Sequence, residues 1–185
     1  CEDDITGIPY DRVADFITRH PDWPAQEKLR ATAERVMPAN LDAVSIVNWF
    51  QTHPPVTGQG ALKLINATGT GHQGIMTLLN QAWPDLRATQ SEQERLLGLI
   101  GRNISPSSHV ARLDQLLHNQ QYTLARSLAT YIGNGYPQVV EARIALMEGK
   151  PAVGSFIARV PEHLQNDPGL LLERIRWRRK NDDDN

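Results

Sequence analysis

The chain has 185 residues, a formal net charge of −2 and a single cysteine. This slightly acidic balance argues against a general nucleic-acid-binding protein, which is usually basic, and one cysteine excludes an intramolecular disulfide. No stretch approaches the roughly 20 apolar residues of a transmembrane helix, so no membrane span is predicted.

The start of the chain bears on its location. No signal peptide is present, so the protein is either cytosolic or has lost its signal. Cys1 could carry the lipid of a bacterial lipoprotein if it were the first residue of the mature protein. An arbitrary chain boundary is the simpler explanation.

Apolar residues recur at i, i+3, i+4 and i+7 along nearly the whole chain, and no segment alternates with period two. This pattern predicts eleven short helices and no sheet. The helix opening at Pro137 is one of them, and the other ten are defined by apolar faces. In chain order those faces contain Val13, Phe16 and Ile17; Leu29, Ala33 and Val36; Ile46, Val47 and Phe50; Ala61, Leu64 and Ile65; Ile75, Leu78 and Leu79; Leu96, Leu99 and Ile100; Val110, Leu113 and Leu117; Ala125, Leu128, Ala129 and Ile132; Val153, Phe156, Ile157 and Val160; Leu171, Ile175 and Trp177.

Residues typical of helix starts predict the boundaries. Proline suits the first turn of a helix, and Ser, Thr, Asp and Asn suit the N-cap. The predicted starts are Pro24, the cap Asn40 of the third helix, the Ser91–Glu94 capping box of the sixth, Pro106 behind the cap Ser105, and Pro137, Pro151 and Pro168.

The prolines Pro106, Pro137 and Pro168 lie 31 residues apart, each preceded by a candidate cap residue, Ser105, Tyr136 and Asp167. A repeat of two helices is the signature of a helical solenoid, here slightly shorter than the tetratricopeptide period of about 34 residues. We therefore predict an all-α, tetratricopeptide-like, right-handed superhelix of antiparallel helix pairs. It forms one domain over residues 1–185, with a frayed tail at 181–185.

Two motifs that could carry chemistry are better explained structurally. Gly69 to Gly74 match the G-x-G-x-x-G dinucleotide pattern, but a helix rather than a strand precedes them, which favours a link between helices. The six histidines form no H-E-x-x-H motif. His109 and His118 are predicted to face different sides of one helix, whereas His20 and His53 each precede a proline and are predicted to help end helices.

Three further features have a functional and a structural interpretation. Asp114, beside Arg112, could be a general acid or base, but a pair tying one repeat to its neighbour is favoured. The four tryptophans could stack on sugars, but packing between helices is favoured. The basic segment 174–180 could bind an anionic polymer, but the C-terminus of a solvated helix explains most of it.

Several segments, taken in order, resemble the N-terminal superhelical region of the soluble lytic murein transglycosylases. The resemblance spans nearly the whole chain. Its landmarks are His20–Pro24 (HPDWP) with Leu29 and Ala33-Glu34, Trp49-Phe50 followed by a proline and Gly58, His109–Leu117 with Ala125-Arg126, and Gly169–Arg179.

The resemblance implies a periplasmic enzyme that acts on peptidoglycan. Such enzymes cleave the bond between N-acetylmuramic acid and N-acetylglucosamine without water, forming a 1,6-anhydro ring. One glutamate, in a Glu-Ser dipeptide of a C-terminal lysozyme-like domain, acts as general acid and then base. This chain contains no Glu-Ser dipeptide, so no catalytic, cofactor-binding or metal-ligating residue is nominated.

The resulting expectation is a non-catalytic scaffold, cut from a larger enzyme of cell-wall turnover, with a catalytic domain and glycan strands as partners. Whether the chain counts as an enzyme stays open, since only the parent protein would be a lytic transglycosylase. The alternative is a free-standing helical-repeat adaptor that binds a protein or peptide in its groove. An independent glycosidase would need carboxylates flanking the scissile bond, and the sequence offers no such pair.

Overall fold

The structure is a computed structural model that describes residues 7–182, and for Asp182 the backbone only. Cys1 and most of the predicted frayed tail at 181–185 lie outside the described residues. Within them the all-α prediction is confirmed, because eleven α-helices and three short 3₁₀ helices form and no strand does. The α-helices are α1 (Tyr10–Arg19), α2 (Gln26–Val36), α3 (Ala43–Thr52), α4 (Gly58–Thr68), α5 (Gln73–Ala82), α6 (Gln90–Ile100), α7 (Pro106–His118), α8 (Tyr122–Ile132), α9 (Tyr136–Glu148), α10 (Val153–Ala158) and α11 (Pro168–Asp182).

The helices form two compact units, the first ending at Ser108 and the second beginning at His109, within α7. A single domain over residues 1–185 and a right-handed superhelix therefore stay predictions.

In the second unit α9 is the central helix and packs against α8, α10 and α11. The apolar core of this unit is formed by side chains from α9, α10, α11 and the loop between α10 and α11. Its members are Val139, Ala142, Ala145, Leu146, Val153, Val160 and Leu170, with Phe156, Ile157, Leu164 and Trp177 packed against them. The predicted 31-residue repeat holds for the prolines but only approximately for the helix starts, since α7 and α11 begin at Pro106 and Pro168 whereas α9 begins at Tyr136, one residue before Pro137.

Several predicted helix starts are wrong by one to three residues. The third helix is capped by Asp42 rather than Asn40, because its carboxylate accepts hydrogen bonds from Ser45 N at 2.9 Å and from Ser45 Oγ at 2.6 Å. A charged acceptor makes the stronger bond. The capping box of α6 joins Thr89 and Glu92 rather than Ser91 and Glu94.

The prolines do not all stand at the first helical position. Pro24 and Pro151 each precede an alanine in the left-handed conformation, Ala25 at φ 64° and Ala152 at φ 60°, and the helix begins after it. In α9 the N-cap is Gly135, at φ 88°, and not Tyr136. The cap residue must take the left-handed backbone conformation there, and glycine adopts it without steric cost.

In the first unit a buried carboxylate from α2 holds the start of α4. Glu34 accepts hydrogen bonds from the backbone N of Val56 and of Thr57, both at 2.8 Å, and from the Thr57 hydroxyl. Gly60 leaves room for it, because a Cβ at that position would overlap the Glu34 side chain. Lys63 of α4 donates back to the carbonyl oxygens of Glu34 and Met37.

The Glu34 contacts predict a pH dependence of stability. Burial raises the pKa of Glu34, although its hydrogen bonds and the charge of Arg30 oppose the shift. The folded protein therefore binds this proton more tightly than the unfolded chain does. We expect the contribution of Glu34 to the free energy of unfolding to be greatest below the ordinary carboxyl pKa of 4.5, to fall as the pH rises through the higher folded value, and then to level off.

Urea titrations between about pH 4 and about pH 7 would measure this dependence. The Glu34→Gln variant should lose the slope that this carboxyl contributes. Glu94→Gln, a change of an exposed residue on α6, should retain it. Equal slopes in Glu34→Gln and in the unchanged protein would contradict the assignment to Glu34.

Candidate functional site

The second unit carries a groove bordered by α7, α9 and α11, which we call the α9–α11 groove. It consists of a cleft of about 340 Å³ and an adjoining cleft of about 510 Å³, which share Met147, Glu173 and Arg176. One aromatic residue, Trp177, lines it together with the polar residues Asp114, Gln115, His118, Arg143, Glu148, Lys150, Glu173, Arg176, Lys180 and Asn181.

The helical repeat of α11 explains why that helix contributes so much of the lining. Glu173, Arg176, Trp177 and Lys180 stand at positions i, i+3, i+4 and i+7, so they share one face of the helix. Trp177 is half-buried, and it packs against the core while also lining the groove. The same face therefore offers an aromatic surface beside charged groups.

One ion pair crosses from α7 to α9. Arg143 Nη1 donates to Asp114 Oδ1 at 2.5 Å, with the arginine side chain only 8% exposed and the aspartate side chain 50% exposed. Gly169, at the start of α11, makes the arginine position possible, because a Cβ there would overlap the guanidinium. Nearby, burial and then the charges of Asp167 and Asp114 raise the pKa of Tyr136.

A second ion pair lies within α11. Arg176 Nη1 donates to Glu173 Oε1 at 2.9 Å, and here the arginine is 57% exposed whereas the glutamate is 8% exposed. A third pair, Lys150 with Glu148 at 2.8 Å, has two members of similar exposure. The groove thus combines carboxylate acceptors, guanidinium and ammonium donors and one aromatic face.

The residues singled out in the sequence are placed as follows. The predicted tie between repeats is confirmed for Asp114, which joins α7 to α9 through Arg143, whereas its neighbour Arg112 is fully buried. The glycine motif at 69–74 links α4 to α5, as expected.

The histidines also follow the predictions. His20 and His53 are the C-cap residues of α1 and α3. His109 is buried, with its ring 5.6 Å from that of Tyr131, whereas His118 is exposed and lines the α9–α11 groove. Among residues 7–182 no group of three or more His, Cys, Asp or Glu side chains is placed to hold a metal ion.

The tryptophans divide between two environments. Trp49 and Trp83 are buried and Trp177 packs against the core, which confirms packing for these three. Trp23 is 53% exposed, and its ring lies edge-on to that of Phe16 with the ring centroids 5.4 Å apart. Of the basic segment 174–180, Arg176 and Lys180 line the groove.

Arg143 and Glu173 were not predicted from the sequence as groove residues. A signal for the first was present, because Arg112, Arg143 and Arg174 follow the same 31-residue spacing as the predicted helix starts. Glu173 gives no such signal, since it stands in a run of charges and only the packing of α11 buries it.

No helix in the described part of the chain is both long and apolar enough to cross a lipid bilayer. No protein family, curated protein or solved structure matches this chain.

Proposed function

We propose that this chain is the non-catalytic helical scaffold of a periplasmic, peptidoglycan-cleaving enzyme of the soluble lytic murein transglycosylase kind. In this proposal the α9–α11 groove binds the glycan strand and a separate lysozyme-like domain cleaves it. The proposed enzyme class is supported by the motifs that resemble this family, taken in order. The proposed binding role is supported by the groove.

The observation that carries the binding role is the position of Trp177 beside charged side chains in one groove. Sugar rings present an apolar face and a rim of hydroxyl groups. An aromatic side chain packs against such a face, and carboxylates and guanidinium groups accept from and donate to the hydroxyls. The clefts are also within the size range of small-ligand sites, about 300–1,000 Å³.

The proposal assigns no bond cleavage to these residues. Incubation of the purified chain with peptidoglycan sacculi should therefore release no anhydro-muropeptides. Release of such products by this chain alone would contradict the proposed division of labour.

Trp177 provides the direct test of glycan binding. We expect Trp177→Leu to weaken binding of a soluble N-acetylglucosamine tetramer about 3- to 10-fold, because leucine keeps apolar contact with the core but loses the aromatic face. Chemical-shift titration would measure the dissociation constant.

Trp23→Leu is the matched control, since Trp23 is exposed in the first unit. It should leave the dissociation constant unchanged. Failure of the unchanged protein to bind the tetramer, or an equal loss in both variants, would overturn glycan binding at the groove.

A further inference from the structure

The two ion pairs that line the α9–α11 groove differ in which member is buried: the cation in one pair and the anion in the other. In the Asp114–Arg143 pair the cation is the buried member, with the arginine 8% and the aspartate 50% exposed. In the Glu173–Arg176 pair the anion is the buried member, with the glutamate 8% and the arginine 57% exposed. Each pair therefore shows one sign of charge to solvent.

This asymmetry makes the groove dipolar. Its α7 side presents the carboxylate of Asp114, while its α11 side presents the guanidinium of Arg176 together with the ammonium of Lys180. The Lys150–Glu148 pair shows both signs about equally and so adds little net charge. A neutral sugar can hydrogen-bond to these groups, but it carries no charges that compensate theirs.

We infer that the α9–α11 groove binds a zwitterionic peptide, with its ammonium group at Asp114 and its carboxylate at Arg176 and Lys180. The inference rests on the proposed function and refines it. The groove would recognise the peptide stem attached to the glycan strand, in addition to the sugar that contacts Trp177.

The buried partner of each pair fixes the exposed one. Arg143 is confined between α7 and the start of α11, where Gly169 leaves room for its guanidinium, and it holds one carboxylate oxygen of Asp114 at 2.5 Å. Glu173 holds Arg176 in the same way from within α11. Charged groups that are already oriented lose less conformational entropy when a ligand binds.

Isothermal titration calorimetry with defined peptides tests the inference without altering the protein. The probe is N-acetyl-alanyl-γ-glutamyl-lysine, whose only amine is the lysine side chain. Acetylating that amine should weaken binding about tenfold, because the charged contact with Asp114 is lost. Converting both carboxylates to amides should also weaken binding about tenfold, because the charged contact with Arg176 and Lys180 is lost. Raising the salt from about 50 mM to about 0.5 M should also weaken it.

Variants of the protein should show the same pairing of charges. Asp114→Asn should remove the preference for the peptide with the free amine over its acetylated form. Arg176→Gln should remove the preference for the peptide with free carboxylates over its amide form. Arg176→Lys should retain most of this preference for the carboxylates, because it keeps the positive charge. The matched control is Arg126→Gln, which breaks the partly exposed pair with Glu141 outside the groove and should change neither preference.

The outcomes separate this inference from the proposed function. Binding of the N-acetylglucosamine tetramer without binding of the peptide would overturn the inference and leave glycan binding intact. Binding of the peptide alone would support the inference and contradict the role of Trp177. Equal affinity for the peptide and both of its blocked forms would overturn the inference whatever the tetramer does.

One further arm identifies the source of the peptide. N-acetyl-alanyl-γ-glutamyl-lysine should bind more tightly than N-acetyl-glycyl-glycyl-lysine, which carries an amine and a carboxylate but no γ-linked residue. Equal affinities would overturn recognition of the stem.

Discussion

Replacing Leu113 with alanine is expected to lower the free energy of unfolding by about 2–5 kcal/mol, the range for deleting a buried leucine side chain. Leu113 lies on α7 and is only 2% exposed. Its truncation leaves a cavity whose surroundings relax only in part. Urea denaturation followed by far-UV circular dichroism would measure the loss.

Leu171→Ala is the control in the same unit, because that leucine on α11 is 37% exposed. It should cost well under half as much, since less apolar surface returns to water. A loss below about 0.5 kcal/mol for Leu113→Ala would mean that the buried face of α7 is assigned wrongly.

Gly135→Ala should have a comparable effect, for two separate reasons. The glycine has φ 88°, a left-handed conformation that costs an alanine about 1–2 kcal/mol. In addition, a Cβ would lie 2.5 Å from Pro161 Cγ, and overpacking of this kind costs about 1–3 kcal/mol. Together they predict a loss of about 2–5 kcal/mol.

Gly149→Ala separates these two reasons. Gly149 is also left-handed, at φ 62°, but a Cβ there would meet no atom within 4 Å. Its replacement should therefore cost only the conformational part, about 1–2 kcal/mol. Thermal melts of the two variants would give the difference, and equal losses would show that the contact with Pro161 adds nothing.

The sequence predicted the elements better than their ends. Helical spacing of apolar residues placed all eleven helices, because burying one face of a helix requires that period. The predicted apolar face of α11 is wrong, however, because Leu171 and Ile175 are exposed. The caps were predicted less well, since Asn40 and Asp42 are both competent to cap α3 and Ser91 is competent to cap α6. Which residue forms the cap depends on how the first turn of the helix packs against neighbouring elements.

The groove shows a similar division. Its aromatic residue, Trp177, and one of its carboxylates, that of Asp114, were recognised as notable in the sequence, but as packing residues. Their placement in one groove requires α7, α9 and α11 to pack side by side. Which member of each ion pair is buried depends on that packing as well.

The amino-acid sequence by itself determined an all-helical chain in which Pro106, Pro137 and Pro168, 31 residues apart, lie in the first turns of α7, α9 and α11, because proline position and apolar period act within a few residues. Only the tertiary structure decided that Arg143 is buried while Asp114 is exposed, and that Glu173 is buried while Arg176 is exposed. Burial of a charge is settled by the elements that cover it. For Arg143 that element is the start of α11, where Gly169 leaves room for the guanidinium.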